Sequence, residues 1–377
     1  MEKPLASIII NNYNYGHFLP EAIESALNQT YEPIEAIVVD DGSTDGSQQI
    51  IANYKKRIIP VLKENGGQGS AFNAGFAVSR GEIVCFLDAD DVLLPSAIEK
   101  AVDLLRDPNA VKVHWPLSTI DVHGRALGKL FPEKPLPEGD LRDAQLKGGV
   151  EGHVFSPTSG NAWARSYLER ILPMPEIHYR INADSYLAIL APFFGSIKRI
   201  VEHQALYRIH GKNGTSKTTY RWQVNQHHYE VTLLRKFLQE QGIQIEDASE
   251  HWQGSGYGHA QRMVELGQEL EPLIPPGQNY ILVDMNQWGW NGQLLENSQS
   301  IPFLEKDGMY WGPPPDDAVA IKEFEQLHCT GASFIVFGLP AFWWFDYYTE
   351  FACYLRTKFR CVLDSDRLVV FDLRLPA

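Results

Sequence analysis

The sequence predicts an α/β protein built on a mostly parallel sheet with helices on both faces. Two features of the first hundred residues lead to this prediction. Apolar, β-branched segments alternate with segments of helical spacing, and these apolar segments are continuous, as in strands whose two faces are both covered. The chain of 377 residues is long for one compact domain, so a second, smaller α/β domain is expected toward its C-terminal end.

Four strands joined by three helices are predicted in the order βαβαβαβ. The strands are LASIII from Leu5, IEAIVVD from Ile34, IIPVLKE from Ile58 and GEIVCFLD from Gly81. The helices between them are PEAIESALNQ from Pro20, QQIIANYKK from Gln48 and GGQGSAFNAGFAVS from Gly66. Proline suits the first turn of a helix, where its missing N–H has no intrahelical partner to lose. The loop DGSTDGS before the second helix is rich in residues that cap helices.

The pattern of alternation is looser after residue 110. A β-hairpin is predicted in VHWPLSTIDVHGRALGKLF, residues 113–131, with its turn near His123 and Gly124. Short helices are predicted in YLERILPMPE and NADSYLAILAPFFG. They are followed by one predicted strand, SIKRIVEHQALYRIH, residues 196–210.

Three segments are expected along the chain: an N-terminal domain at 1–219, a helical connector at 220–277 and a small α/β domain at 278–377. In the last of these, YILVD, SFIVFG, RCVLD and RLVVFD resemble strands, and DDAVAIKEFEQLH has helical spacing. The aromatic segment PAFWWFDYYTEFACYLRTKF, residues 340–359, is interpreted as core or interface packing, with membrane contact as the alternative. We find no motif that assigns a chemistry to this domain.

The composition of the chain argues against some classes of binding partner and location. The net charge is −14, from 33 basic and 47 acidic residues, and no basic run stands out, which argues against nucleic acid. The four cysteines lack the spacing of metal or redox sites, which is typical of a reducing cytoplasm. The apolar N-terminal stretch is too short for a signal peptide, and SFIVFGLPAFWWF is too short for a membrane span and contains Pro340. We therefore expect a soluble, cytoplasmic protein.

Three aspartates end the fourth predicted strand, in CFLDADDVLLP. Capping of the following helix would account for one of them, Asp91. It cannot account for all three, because crowded carboxylates repel one another and resist burial. Asp88 and Asp90 are two positions apart and project to the same side of an extended segment, so they can share a ligand. Mg²⁺ and Mn²⁺ prefer oxygen ligands such as carboxylates, so the aspartates could bind a divalent cation that holds a phosphorylated ligand. The alternative is that one aspartate is a nucleophile.

Polar residues also follow two other strands of the predicted sheet. They are Asn11 to Tyr13 after the first strand and Asp40 to Asp41 after the second. Ligands of open α/β sheets bind beyond the carboxyl ends of the strands. We therefore expect these residues and the aspartates of the fourth strand to converge on one edge of the sheet.

Two long segments resemble the opening of family-two glycosyltransferases. They are SIIINNYNYGHFLPEAIESALNQTYEPIEAIVVDDGSTDGS and NGGQGSAFNAGFAVSRGEIVCFLDADD, which cover most of the first hundred residues in the family's order and spacing. The resemblance implies the GT-A nucleotide-diphospho-sugar transferase fold. It also implies inverting transfer of a sugar, of hexosyl type, from a UDP- or GDP-sugar with a divalent metal, Mn²⁺ or Mg²⁺.

The resemblance assigns roles to residues of the donor site. Asn11, Tyr13 and Asp41 would contact the base, with the Tyr13 ring available to stack. Gly67 lies on the loop where the backbone approaches the nucleotide. Asp88 would contact the ribose or the metal, and Asp90 would bind the metal and the diphosphate.

A third segment, INADSYLAILAPFFGSIKRIVEHQALYRIHGKNGTS, resembles the acceptor side of the same family. The family's catalytic base matches Asp184, which would take the proton of the acceptor hydroxyl. The family commonly has Glu-Asp here, whereas this chain has Ala183 before Asp184. His210, in YRIH, matches a position near the metal or diphosphate; a structural hydrogen bond is the other interpretation.

Two other functions remain open from the residues alone. DADDVL also fits the motif of haloacid-dehalogenase-like phosphatases, in which Asp88 would be the nucleophile and Asp90 its acid–base partner. That motif usually ends the first strand, whereas three strand units precede it here. A non-catalytic scaffold that binds a nucleotide-sugar is the second alternative. The acceptor, whether a cell-surface polysaccharide, a lipid-linked glycan or a protein, is not specified, nor is the oligomeric state.

Overall fold

The computed structural model describes residues 3–210, 213, 218–243, 252, 254–288, 293–306 and 309–377. The chain divides into two compact units. The first comprises residues 1–209 and 228–254, and the second comprises residues 210–227 and 255–377. The domain boundaries expected from the sequence, after residues 219 and 277, stay a prediction.

The first unit contains eleven strands among its described residues. They are β1 (Ala6–Asn12), β2 (Ile34–Asp41), β3 (Ile59–Lys63), β4 (Ile83–Asp88), β5 (Val92–Leu93), β6 (Ala110–His114), β7 (Leu117–Ile120), β8 (Ala126–Phe131), β9 (Asn161–Ala164), β10 (Ser196–Arg199) and β11 (Ala205–Arg208). Seven of these strands form one sheet in the order β10-β6-β9-β4-β1-β2-β3. Strands β1 to β4 are mutually parallel where they pair, as predicted, and β9 runs antiparallel to both of its neighbours.

Helices cover both faces of this sheet. They are α1 (Leu19–Leu27), α2 (Ser47–Tyr54), α3 (Gln68–Val78), α4 (Ala97–Leu105), α5 (Arg142–Gly148), α6 (Arg165–Ile171), α7 (Ala183–Leu190) and α8 (Tyr220–Glu240), of which α8 begins in the second unit. Apolar side chains of α1, α2 and α4 pack on one face. Those of α3, α6 and α7 pack on the other face. The predicted α/β architecture, with a mostly parallel sheet covered by helices on both faces, is confirmed.

A second, four-stranded sheet has the order β5-β11-β7-β8. The predicted hairpin is confirmed, because β7 and β8 are antiparallel around a turn in which Gly124 has φ +78°. The prediction of one strand over residues 196–210 is wrong, because β10 pairs with β6 and β11 pairs with β7 in the other sheet. Pro116 separates β6 from β7 and has no N–H to continue the ladder. The segment that pairs in parallel with β6 and β7 is therefore also divided into two strands, β10 and β11, one in each sheet.

The second unit has its own five-stranded sheet, which confirms the expected C-terminal α/β region. The described strands of the unit are β12 (Asn279–Val283), β13 (Ser300–Pro302), β14 (Glu305–Lys306), β15 (Met309–Tyr310), β16 (Ala332–Gly338), β17 (Phe359–Asp364) and β18 (Leu368–Pro376), of which β14 and β15 form a separate two-stranded sheet. The order of the five-stranded sheet is β13-β12-β16-β18-β17, and β12 is parallel to both neighbours.

Helices complete the second unit. They are α9 (Ser255–Leu270), α10 (Asp317–Cys329), α11 (Trp344–Tyr347) and α12 (Thr349–Lys358). Asp316 caps α10, since its Oδ1 accepts from the backbone N–H of Val319 at 2.9 Å. The aromatic segment packs as predicted on one side, where Trp344, Tyr348 and Phe351 are buried in the core of the unit.

The part of the chain that the structure describes includes no helix that is both long enough and apolar enough to cross a membrane.

Helix α3 lies so close to β1 and β2 that its Gly75 leaves no room for a side chain. A Cβ at Gly75 would lie 2.3 Å from Cγ2 of Ile9 and 3.0 Å from Cγ2 of Val39. We expect Gly75→Ala to lower the free energy of unfolding by about 1–3 kcal/mol, because overpacking displaces the helix. Gly148→Ala is the control, since a Cβ there meets nothing within 4 Å. Urea denaturation measures both, and equal stability of the two variants would contradict this packing.

Candidate functional site

Side chains from the carboxyl ends of three neighbouring strands meet at one edge of the large sheet. Asn11 of β1 lies opposite Asp88 of β4, and its Nδ2 donates to Oδ1 of Asp88 at 2.7 Å. Asn12 lies opposite Asp40 of β2 and donates to its Oδ1 at 2.9 Å. The predicted convergence of these strand ends is confirmed.

Gln68, the first residue of α3, links three parts of this edge. Its Nε2 donates to Oδ1 of Asp88 at 3.0 Å and to Oγ1 of Thr158 at 3.1 Å. Its Oε1 accepts from the backbone N–H of Ala183 at 2.9 Å. One amide side chain therefore joins the end of β4 to the start of α7, where Asp184 lies.

The loop before α3 is arranged around the carboxylate of Asp41. Its two oxygens accept from Nζ of Lys63 at 2.6 Å and from Nδ2 of Asn65 at 3.0 Å. They also accept from the backbone N–H groups of Gly66 at 2.9 Å and of Gly67 at 2.7 Å. Gly67 has φ +89°, and a Cβ there would lie 2.5 Å from Cα of Arg180, so only glycine fits.

Asp90 and Asp91 are both buried, at 7% and 2% exposure, and both lie beside Arg208 of β11. The backbone N–H of Arg208 donates to Oδ1 of Asp91 at 3.0 Å, and its Nε donates to the carbonyl oxygen of Asp90 at 2.9 Å. The guanidinium also pairs with Glu21. The expectation that Asp91 caps the next helix is wrong: α4 begins at Ala97, and the Asp91 carboxylate instead holds the start of the second sheet against β11.

Asp184 lies in the first turn of α7, where Asn182 precedes the helix in the left-handed conformation with φ +59°. The position suits a carboxylate, because the helix N-terminus presents unpaired N–H groups. Burial nevertheless raises the pKa of Asp184 to about 6, although backbone N–H groups and the nearby Lys112 oppose this rise. A carboxyl group with this pKa is largely ionised at neutral pH and can still accept a proton.

The aspartates perturb one another. Burial, followed by repulsion from Asp90 and Asp184, raises the pKa of Asp88 to about 7, despite its hydrogen bonds from Asn11 and Gln68. Burial, followed by repulsion from Asp90 and Asp88, raises the pKa of Asp91. Such shifts indicate a concentration of negative charge that a bound cation would relieve.

Two further predicted site residues are Tyr13, which follows β1, and His210, which belongs to the second unit. Tyr13 is 48% exposed at the end of β1, so one part of its ring is open to solvent. His210 falls in the second unit, where its backbone N–H donates to Oδ1 of Asn213 at 3.1 Å. Among the described residues, no three His, Cys, Asp or Glu side chains form a group that could hold a metal ion by themselves. The roles assigned to Tyr13 and His210 stay predictions.

The sequence analysis missed Gln68, Thr158, Ser159 and Lys112. Ser159 lies beside the aspartates, and its Oγ accepts from the backbone N–H of Asp88 at 3.1 Å. The signal for Gln68 was its place directly after GG at the start of a helix. The signal for Thr158 and Ser159 was the short polar segment PTSGN before β9. The position of Lys112 in an apolar strand gave no signal of chemistry.

Part of this first unit matches a known protein family. The family model described as Glycosyl transferase family 2 matches residues 7–167. An uncharacterized glycosyltransferase of Nostoc sp. is 41% identical over 211 residues, which are 55% of this chain and 65% of the relative. An uncharacterized glycosyltransferase of Rickettsia prowazekii is 41% identical over 134 residues, which are 35% of this chain and 42% of the relative. The chain thus spans less than two thirds of the length of these relatives.

Solved structures that resemble the chain are more distant in sequence. S. aureus TarS 1–349 in complex with UDP-GlcNAc is 16% identical, with a TM-score of 0.48, over 71% of this chain and 76% of that one. The mannosyltransferase PcManGT from Pyrobaculum calidifontis, in complex with GDP-Man and Mn²⁺, is 18% identical, with a TM-score of 0.45, over 72% and 76%.

The raised pKa of Asp88 implies that the free energy of unfolding depends on pH. The native state binds this proton more tightly than the unfolded state, so ionisation of Asp88 destabilises the fold as the pH rises from about 4 through about 7. At pH 8 with a chelator present, we expect Asp88→Asn to raise the free energy of unfolding by roughly 1–3 kcal/mol, since one pKa unit corresponds to about 1.4 kcal/mol.

Thermal unfolding at pH 8 and at pH 4.5 measures this effect, and the gain should shrink at the lower pH. Asp143→Asn, which removes an exposed carboxylate of α5, is the control and should change neither value. A loss of stability in Asp88→Asn at pH 8 would show that Asp88 is not under charge strain.

Proposed function

We propose that this chain, which contains a glycosyl transferase family 2 domain over residues 7–167, is an inverting glycosyltransferase of hexosyl type that uses a nucleoside-diphosphate sugar. The observation that supports this proposal is the concentration of buried carboxyl groups at the strand ends, with Asp184 within electrostatic reach of Asp88. A UDP-sugar is the proposed donor, and a hydroxyl group of a glycan, a lipid-linked glycan or a protein is the proposed acceptor.

Asp184 is the proposed general base. Its carboxylate accepts the proton of the acceptor hydroxyl as that oxygen forms a bond to the anomeric carbon. The bond from the anomeric carbon to the diphosphate oxygen breaks, and the bonding electrons leave with the nucleoside diphosphate. A single displacement of this kind inverts the anomeric configuration. The pKa of about 6 allows Asp184 to be ionised at pH 7 and yet basic enough to take the proton.

Asp88 and Asp90 are the proposed ligands of a divalent cation, Mn²⁺ or Mg²⁺. Burial and then repulsion from Asp90 raise the pKa of Asp88, and a bound cation would oppose both effects. Carboxylate oxygens are the donors these ions prefer, so the residues fit the group. When bound, the cation would neutralise charge on the diphosphate leaving group. Two carboxylates leave room for phosphate oxygens, which agrees with the absence of a three-residue metal group among the described residues. His210 is kept as a proposed additional contact to the metal or diphosphate.

Asn11, Tyr13, Asp41 and Gly67 are the proposed contacts of the nucleotide. Tyr13 is 48% exposed, so its ring has accessible surface on which a base can stack. Asp41 already accepts four hydrogen bonds, which fill the usual capacity of a carboxylate. To accept from the base, it would have to release one donor, and the flexible Lys63 Nζ is the one that can move without displacing the loop.

The phosphatase alternative is less well supported. The phosphatase motif usually ends the first strand of its fold, whereas Asp88 ends β4, the fourth strand in chain order. The scaffold alternative would be favoured by loss of Asp90 or Asp184, and both are present. We further propose a role in cell-surface polysaccharide synthesis, in the cytoplasm or peripherally at the inner face of the membrane.

We expect Asp184→Asn to lower the rate of sugar transfer by about 10²–10⁴-fold, because the base is lost. Binding of the nucleotide should be unchanged, because Asp184 is not among the proposed nucleotide contacts. Steady-state transfer from UDP-sugars and calorimetric binding of UDP separate the two effects. Glu169→Gln, which removes an exposed carboxylate of the neighbouring α6, is the control. Full activity of Asp184→Asn would contradict the assignment of the base.

The donor site can be tested without knowing the acceptor. Calorimetric titration of UDP and of GDP, each with and without Mn²⁺, should show metal-dependent binding of one nucleotide, UDP by our proposal. Asp90→Ala should lower that affinity at least about tenfold, because it removes a ligand of the cation. Binding of neither nucleotide, together with hydrolysis of p-nitrophenyl phosphate, would instead favour the phosphatase.

A further inference from the structure

Lys112 is a buried lysine in the middle of β6. Its side chain is fully shielded from solvent, and its Nζ has no hydrogen-bond partner among the described residues. The Nζ lies 4.9 Å from the ring centroid of Trp163 and 5.5 Å from that of Phe155. A lysine in such a place is costly unless something nearby balances its charge.

Lys112 lies on the same face of the sheet as the candidate site. It is opposite Trp163 of β9, which is opposite Val84 of β4. Residues directly opposite each other point to the same face, and Asp88 is four positions along β4 from Val84, so its side chain points to that face too. Helix α7, which bears Asp184, packs on this face.

The groups around Lys112 leave Asp184 as its counter-charge. Burial and the nearby Lys112 lower the pKa of His114 to about 2, and they lower that of His153 to about 3. Both rings are therefore neutral. His114 Nε2 contacts the carbonyl oxygen of Pro137 at 2.7 Å, which requires this nitrogen to donate. Arg199 is a further cation near His114. Burial lowers the pKa of Lys112 to about 7, and the nearby Asp184 opposes this fall. Burial raises the pKa of Asp184, and Lys112 in return opposes that rise, so each group favours the charged form of the other.

We propose that Lys112 is a positioning residue for Asp184: its ammonium group, held between the rings of Trp163 and Phe155, is the buried counter-charge that keeps this carboxylate ionised. The relevance for catalysis rests on the proposed role of Asp184 as the base. The electrostatic pairing itself does not, so it can be tested separately.

The pairing follows from the balance of charge in this part of the fold. Asp184 is half-buried and is repelled by Asp88, so alone it would tend to keep its proton. A base that keeps its proton is inactive. A cation behind Asp184 opposes that tendency without occupying the side on which an acceptor would bind, because Lys112 is wholly buried in the sheet.

A double-mutant cycle on the full-length chain tests the pairing without any assay of activity. Lys112→Met removes the charge while keeping most of the volume, and Asp184→Asn removes the other charge. In the wild-type background, Asp184→Asn should lower the Tm at pH 6.5, between the pKa of Asp184 and that of Lys112, because it leaves a buried ammonium uncompensated. In the Lys112→Met background the same change should leave the Tm unchanged or raise it, because it then removes an isolated carboxylate.

Equal shifts in Tm in the two backgrounds would overturn the pairing. Lys112→Gln is a second neutral variant in case Lys112→Met does not fold, and it should give the same reversal. Lys147→Met, at an exposed position of α5, is the control and should not alter the effect of Asp184→Asn.

The pH dependence of transfer tests the consequence for catalysis. Loss of Lys112 should move the acidic limb of kcat/KM upward by about one pH unit or more, because the carboxylate then protonates more easily. The rate should recover at pH 8 to 9, while the affinity for UDP stays unchanged; a merely structural role would lower the rate equally at every pH. Such a uniform loss would overturn the positioning role. Absence of transfer in the wild type, with the reversal of Tm intact, would count against the proposed function and leave the pairing standing.

Discussion

The crowding of carboxyl groups at and just after the end of β4 is the constraint on which the site depends. Parallel pairing places Asn11 opposite Asp88, and the chain then adds Asp90 and Asp91 after the single residue Ala89. Like charges at this spacing raise one another's pKa, and burial raises it further. Each carboxylate therefore needs a different set of partners, and these partners come from distant segments: α3 for Asp88, β11 for Asp91 and β6 for Asp184.

Gln68 links the surroundings of two of these carboxyl groups, Asp88 and Asp184. Because its amide donates to Asp88 and accepts from the N–H of Ala183, it fixes the distance between the strand end and the helix that bears Asp184. Its own position depends on the left-handed backbone of Gly67 and on the hydrogen bonds from this loop to Asp41. The donor side and the acceptor side of the proposed reaction are thus connected through one side chain, that of Gln68, which lies 115 positions before Ala183 in the sequence.

The second unit shows that an aspartate at a strand end is not by itself a ligand site. Asp284 directly follows β12, as Asp88 ends β4, but its oxygens accept from the backbone N–H groups of Asn286 at 2.9 Å and of Trp288 at 2.6 Å. Met285 and Asn286 adopt positive φ values in this turn. Asp284 thus stabilises a tight turn, whereas Asp88 contacts side chains of other elements, including one at the start of a helix.

The sequence alone determined the order of strands and helices in the first hundred residues, and with it the convergence of Asn11, Asp41 and Asp88 at one edge. This was possible because hydrophobic periodicity and turn residues are local, and parallel topology then dictates which strand ends coincide. The tertiary structure decided what each charge contacts. It split the strand predicted after residue 195 at the level of Pro116, assigned Asp91 to the backbone of Arg208 and placed Lys112 near Asp184. These contacts join residues separated by 70 or more positions, and no local pattern encodes such pairings, because they depend on which elements pack together.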